Sequence, residues 1–387
     1  MKTLIHIGLP KTGSTALQHA LHDAQMDLRS QGILYPDPTV PKAYNHGLLA
    51  AAMMTRDELP REYRFLEESD LQERTEVFLE GLRRQIRDVP HNLLILSSEY
   101  LSRFYLSENA EDFLKFFTDL GADQIEILVY IRRPSDYYLS ASQQRLRASS
   151  QLSAQEPRDV CGVLENFRTL FPAADITVRL FDRNSLEEGD VVADFASNYA
   201  PNCRAALLTA AQAAWSNESS SAEGMALLQD YRRTFFPHDD DVFKSGSGRL
   251  FRLLQKIEKE HNVPRPRLKA EIRDSIDYSS PSPLILRDSY GIEFRDFDYG
   301  RLERGDFAGP IETPSDVTDI VNVDRTRLAD MVGDLAKAKK FRSTEHTIWL
   351  QDFAKRFDLP AGQRKSNGIG YRILSKLGIA RPKRTLN

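Results

Sequence analysis

Five short apolar runs are spaced through the first half of the chain, at residues 3–7, 33–35, 93–97, 125–131 and 176–181. Their near-continuous apolar character is that of strands buried on both faces. Between them, apolar residues recur at three- and four-residue spacing over 15–30, 70–88, 109–120, 134–147 and 158–170, which predicts helices. Strands alternating with helices imply an α/β fold with a parallel central sheet flanked by helices. Ligands of such sheets bind beyond the carboxyl ends of the strands.

After residue 200 the pattern changes. Helical periodicity recurs at 203–214, 221–235, 247–262 and 316–338, strand-like runs become scarce, and 276–310 reads as loop from its Pro, Asp and Gly content. The expected organisation is an α/β core over 1–202, a mostly helical extension of the same domain over 203–360, and a tail over 361–387. That tail carries seven Lys or Arg and no Asp or Glu. It reads first as a solvated terminus, with weak membrane-surface contact as the alternative.

Composition narrows the field. The 387 residues are 41% hydrophobic and 28% charged, an ordinary balance for a soluble enzyme. A net charge of −4 argues against nucleic-acid binding. Cys161 and Cys203 form no metal or disulfide pattern. No apolar run approaches the ~20 residues of a membrane helix. The first strand starts within a few residues of Met1, so the expectation is a cytoplasmic protein with no integral membrane segment.

The densest chemical signal is the segment from Gly8 to Thr15, Gly-Leu-Pro-Lys-Thr-Gly-Ser-Thr, between the first strand and the first helix. A strand, a glycine-bearing turn and a helix N-terminus make an anion cradle, because backbone N–H groups converge there and the helix dipole favours negative charge. Lys11 adds a formal positive charge. Gly8 and Gly13 have the separation of a Walker loop, and Thr15 occupies its magnesium-binding hydroxyl position. The lysine that should follow the second glycine is instead Ser14.

A second signal follows the strand at 125–131. Arg132 stands at its end, Pro134 opens the next helix, and Ser140 lies eight residues beyond the arginine. An arginine and a serine so placed can converge on one anion.

Together these segments resemble the sulfotransferases. Pro10, Lys11, Thr12, Gly13, Ser14 and Thr15 match that family's P-K-[ST]-G-[ST]-[ST] loop, and Arg132 with Ser140 match its 3′-phosphate motif. The resemblance implies the cosubstrate 3′-phosphoadenosine 5′-phosphosulfate, gripped at its 5′ end by the loop and at its 3′-phosphate by Arg132 and Ser140. Phe181 matches an aromatic that lies near the adenine in the cytosolic branch. Arg364, with Lys365, partially matches a C-terminal Arg-Lys-Gly segment that adds charge at the 3′-phosphate. Ser366 stands where that segment has glycine.

The reaction so implied moves a sulfuryl group to a hydroxyl, with an amine as second choice, of a carbohydrate, lipid or small metabolite. Lys11 and the loop amides are its charge stabilisers. Glu99, after the strand at 93–97, ranks first as the base, and His46 is its rival. A sulfuryl group carries less charge than a phosphoryl group, so no metal is expected. Two other classes stay open: a P-loop kinase or nucleotide hydrolase with an atypical loop, and a nucleotide-binding protein without catalysis.

Overall fold

A computed structural model describes residues 1–359, except 39, 41–42, 57–58, 104–109, 154–158, 214–218 and 310–311. The chain begins with β1 (Lys2–Ile7), α1 (Ser14–Asp23), α2 (Gln25–Ser30), β2 (Ile33–Leu34), α3 (Gly47–Met53), α4 (Arg61–Arg64), α5 (Glu68–Asp88) and β3 (Leu93–Ser98). It continues with α6 (Ala110–Asp119), β4 (Gln124–Ile131), α7 (Pro134–Arg145), α8 (Val160–Leu170), β5 (Asp175–Leu180), α9 (Val191–Tyr199) and α10 (Arg204–Ala213). Next come α11 (Ala222–Phe235), α12 (Ser245–Glu260), α13 (Ala270–Asp277), α14 (Ser282–Tyr290) and α15 (Tyr299–Glu303). The last described elements are α16 (Val317–Ile320), α17 (Arg325–Lys337) and α18 (Thr344–Arg356).

These elements form two compact units that interleave along the chain. The first comprises residues 1–133, 158–216 and 280–306, and the second the remainder. All five expected strands are present in the first unit, as one parallel sheet in the order β2-β3-β1-β4-β5. The chain steps from β1 to β2, returns to β3, then crosses β1 to reach β4 and β5. This reversal of strand order lies at β1, and ligands of open α/β sheets bind at such points.

Alternation along β1 sends its side chains to two cores. Ile5 and Ile7 join Leu94, Leu96, Ile127 and Val129 beneath α3, α5, α6 and α8, where Leu49, Phe78, Phe113 and Phe167 are buried. Leu4 faces the opposite layer with Ile95, Leu128 and Tyr130, covered by α1, α9 and α10 through Leu17, Phe195 and Leu207. Both sheet faces are therefore closed, which is why these strands lack polar alternation.

The segment 276–310 departs from the loop expected there. Pro281 and Pro283 lie at the start of α14, where a missing N–H costs nothing, and Gly291 ends the helix with φ 66°. Leu286, Ile292 and Phe294 then join the first unit's core. Proline content marked a helix start here.

The second unit is helical among its described residues, apart from an antiparallel bridge between Leu268 and Val321. Its core unites Met225 and Leu228 of α11, Leu250 and Leu254 of α12, Leu328 and Val332 of α17, and Trp349 and Phe353 of α18. Two buried carboxylates inside it are paired: the Trp349 indole N–H donates to Asp230 at 2.7 Å, and Arg327 donates to Glu223 at 3.1 Å. No helix among the described residues is long and apolar enough to cross a membrane.

Candidate functional site

Strand register decides which residues share an edge. Ile7 lies opposite Ser98 on one side and Val129 on the other, and Ile131 lies opposite Leu180. Gly8, Glu99, Arg132 and Phe181 are each the first residue after their strand, so four neighbouring strands deliver them to one carboxyl edge. The Gly8 amide donates to the Ser98 carbonyl at 3.2 Å, which seats the start of the loop beside β3.

The loop then tightens by its own side chains. The Thr12 hydroxyl donates to the Leu9 carbonyl at 2.6 Å, and Ser14 Oγ donates to the same carbonyl at 3.2 Å. Both hydroxyls are buried, whereas that of Thr15 belongs to an exposed residue and Pro10 and Lys11 are half-buried. Lys11 has φ 68° and Gly13 φ 77°. A lysine in the left-handed region is uncommon and costs free energy, a feature concentrated at binding loops.

Gly13 is also the N-cap of α1 and offers no side-chain acceptor to the first-turn N–H groups. Helix starts ordinarily use Ser, Thr, Asp or Asn for that purpose. An anion placed there would satisfy these donors and meet the positive end of the helix dipole.

Two residues from neighbouring strands close over this turn. The Arg132 guanidinium donates to the Lys11 carbonyl at 3.3 Å, and its Cζ lies 5.7 Å from the Phe181 ring centroid. A Cβ at Gly13 would come within 2.9 Å of the Phe181 ring and 2.7 Å of the Val191 side chain. Lys11, Gly13, Arg132 and Phe181 are thereby brought together. Arg133 turns elsewhere, donating to the Arg295 carbonyl at 2.8 Å and lying over Phe297.

Two residues before Phe181 an ion pair reaches a buried carboxylate. Arg179 on β5 donates twice to Asp194 on α9, at 2.6 and 2.7 Å, and the Tyr130 hydroxyl donates to the same carboxylate at 2.8 Å. Burial alone would raise the Asp194 pKa, but Arg179, Tyr130 and the Glu187 amide outweigh it and hold the carboxyl below its ordinary range. The column fixes β4, β5 and α9 as one body.

The two candidate bases differ sharply in setting. Glu99 is half-buried at the end of β3, and its own carbonyl accepts from the amide and hydroxyl of Ser102. His46 is completely buried. Its Nδ1 accepts from the Ser97 amide at 3.0 Å, so the ring proton sits on Nε2 and is donated to the Pro36 carbonyl at 3.0 Å. Burial lowers its pKa to about 4 against smaller opposing contributions from those backbone groups. Both ring nitrogens are occupied in holding the β2–α3 turn to β3.

Sequence reasoning passed over the polar column behind the loop. His6 Nδ1 pairs with Ser97 Oγ at 2.8 Å, and Gln18 on α1 donates to that same oxygen at 3.1 Å. Asn45 Nδ2 donates to Gln18 Oε1 at 3.4 Å, and its Oδ1 accepts from the Gly47 amide at 2.9 Å. Burial lowers the His6 pKa to about 4 as well. The signal was available: His6 and Ser97 are polar residues inside otherwise apolar buried strands.

Ser140 is half-buried on α7, in the second unit, and the chain passes between the units after Arg133. Arg364 lies outside the described residues. Two surface clefts, one between α12 and α17 and one between α11 and α18, belong to the second unit and contain none of the site candidates.

No family signature matches this chain, and no solved structure matches it. An uncharacterized protein of Archaeoglobus fulgidus is 31% identical over 106 residues, covering 26% of this chain and 28% of that protein. The chain therefore matches little more than a quarter of that relative's length.

Proposed function

We propose that this chain is a sulfotransferase, using 3′-phosphoadenosine 5′-phosphosulfate as donor and a hydroxyl-bearing carbohydrate, lipid or metabolite as acceptor. The observation that carries the reading is the meeting of Lys11, Gly13, Arg132 and Phe181 at one sheet edge, over an uncapped helix start. An acidic nucleotide suits that donor set: amides and a lysine for the 5′ end, an arginine for the 3′-phosphate, and an aromatic for the base.

The donor supplies an activated sulfuryl group attached through a bridging oxygen. In this account Lys11 and the first-turn amides of α1 stabilise charge developing on that oxygen. Glu99 takes the acceptor's proton, since it stands next to the loop, while His46 has no ring nitrogen to offer a substrate. Displacement of Ser14 into the usual lysine position disfavours nucleoside triphosphate chemistry. The reading invokes no metal, which EDTA treatment tests.

The test is thermal unfolding with 3′-phosphoadenosine 5′-phosphate, ATP and adenosine 5′-phosphate, each in EDTA, and with ATP plus magnesium in a separate arm, followed by transfer of labelled sulfuryl from the phosphosulfate. Ligand at about a hundred times Kd stabilises a fold by about 2.7 kcal/mol. Stabilisation by the 3′,5′-bisphosphate beyond that by the other two, together with labelled product, supports the proposal. A response to ATP with magnesium alone contradicts it and favours a kinase or hydrolase.

A further inference from the structure

The cleft between α11 and α18 has a volume of about 680 Å³. Phe235 of α11 with Ile348 and Trp349 of α18 give it an apolar lining, and the exposed Glu345 and Asp352 stand at its rim. Its walls are fixed to one another. The Asp230 carboxylate on α11 accepts from the Trp349 indole at 2.7 Å and from the Arg356 guanidinium at 2.8 Å. Ile348 nonetheless stands 51% exposed. Open apolar surface rimmed by polar residues marks a place where another segment packs. Of the two cations that also line the cleft, Arg356 is held by Asp230, and Lys355 lies 3.5 Å from Asp352. Glu345 is at the opposite end of α18 from them, about 16 Å along the axis.

The chain beyond Leu359 starts at one end of this cleft. The Leu359 amide donates to the Ala354 carbonyl at 3.0 Å, and Asp358 has φ 45°. A left-handed residue thus closes α18 and turns the chain off the helix axis, with Leu359 buried. Residues 360–387 follow, outside the described residues. Their sequence opens with Pro360 and Gly362, which favour a turn. It then sets Ile369, Ile373 and Leu377 four apart, with Arg372, Lys376 and Arg381 interspersed. Apolar residues at that spacing share one face of a helix. Running back along α18 takes about eleven helical residues, fewer than the segment has.

We propose that residues 369–379 of the chain's own tail occupy this cleft, antiparallel to α18, with Ile369, Ile373 and Leu377 against Phe235, Ile348 and Trp349. Charge selects this occupant. The tail carries seven Lys or Arg and no acid. In the antiparallel order Arg372 and Lys376 pass Asp352, Arg381 reaches Glu345, and the uncharged Gly368 and Ile369 fall beside Lys355 and Arg356. An anionic membrane would attract the tail but repel the acidic rim. A separate basic peptide would lack the tether, which raises the tail's local concentration into the millimolar range. This docking stands whether or not the protein is a transferase.

Hydrogen exchange by mass spectrometry on the full chain tests it, with a synthetic peptide of residues 366–381 as the undocked reference. Amides of 369–379 are expected to exchange at least about tenfold more slowly in the protein than in the peptide. Ile348→Asp, at an exposed position and with folding checked by circular dichroism, should abolish that difference. So should Ile373→Asp combined with Leu377→Asp. Glu345→Lys with Asp352→Lys should reduce it by about threefold. The peptide added in trans should bind the Ile373→Asp, Leu377→Asp chain at least about tenfold more tightly than the unaltered chain, whose own tail competes.

Equal exchange in protein and peptide overturns the proposal, as does slow exchange that survives Ile348→Asp. Slow exchange that needs phosphatidylserine vesicles, or needs 3′-phosphoadenosine 5′-phosphate, overturns it in favour of a membrane or the nucleotide. Slow exchange that fades on dilution overturns it in favour of a second copy.

Discussion

Replacing Gly13 by alanine tests whether the loop is held in an anion-binding shape by its neighbours. The residue has φ 77°, and an added methyl group would meet Val191 at 2.7 Å and the Phe181 ring at 2.9 Å. The backbone contribution is about 1–2 kcal/mol for a non-glycine residue in the left-handed region. Forcing a methyl group into a packed site adds about 1–3 kcal/mol. The expected loss is about 2–5 kcal/mol.

Gly121 provides the control. Its φ is 71°, yet nothing lies within 4 Å of its Cβ position. Gly121→Ala should therefore show the backbone contribution alone, about 1–2 kcal/mol. The assay is denaturant unfolding followed by circular dichroism, with amide hydrogen exchange over residues 2–23 to localise the effect. A Gly13→Ala loss no larger than that of Gly121→Ala would refute the argument that Phe181 and Val191 press upon the loop.

Other outcomes follow from the buried groups. His6 and His46 each have a folded pKa of about 4 against an ordinary value of 6.5. The unfolded chain binds protons there first, so stability is full above pH 6.5 and falls as pH drops toward 4, by about 3 kcal/mol per histidine. Urea unfolding at pH 7, 5.5 and 4.5 measures this slope, and a flat profile would contradict the neutral assignment. Asp194→Asn should cost about 3–5 kcal/mol by leaving Arg179 without its carboxylate, whereas Tyr130→Phe should cost about 1 kcal/mol. Equal losses in thermal unfolding would place the stabilisation elsewhere. EDTA should leave nucleotide binding within about twofold of its untreated value by calorimetry.

The sheet was legible because each strand is a compact apolar run between turn residues, and closure on both faces leaves that signal uninterrupted. The order of strands was not, since nothing in a local pattern says that β1 lies between β3 and β4. At the site, the sequence pointed to the loop and Arg132 through residue types at strand ends and through the resemblance to the sulfotransferase motifs. It could not reveal that Arg132 reaches back to the Lys11 carbonyl or that Phe181 lies over Gly13, because those contacts join residues more than a hundred positions apart. His46 illustrates the opposite difficulty. A histidine after a strand has the same local signature whether it faces substrate or, as here, spends both nitrogens on backbone groups. The segment 276–310 misled because proline serves equally in loops and in the first turn of a helix.

The central claim concerns the anion held at the β1–α1 loop, and calorimetric titration with 3′-phosphoadenosine 5′-phosphate in EDTA tests it most directly. The account predicts micromolar binding, with adenosine 5′-phosphate weaker by at least about tenfold. Arg132→Ala should remove that preference for the 3′-phosphate, and Lys11→Ala should weaken both nucleotides. Equal affinity for the two nucleotides in the unaltered protein, or binding untouched by both substitutions, would contradict it.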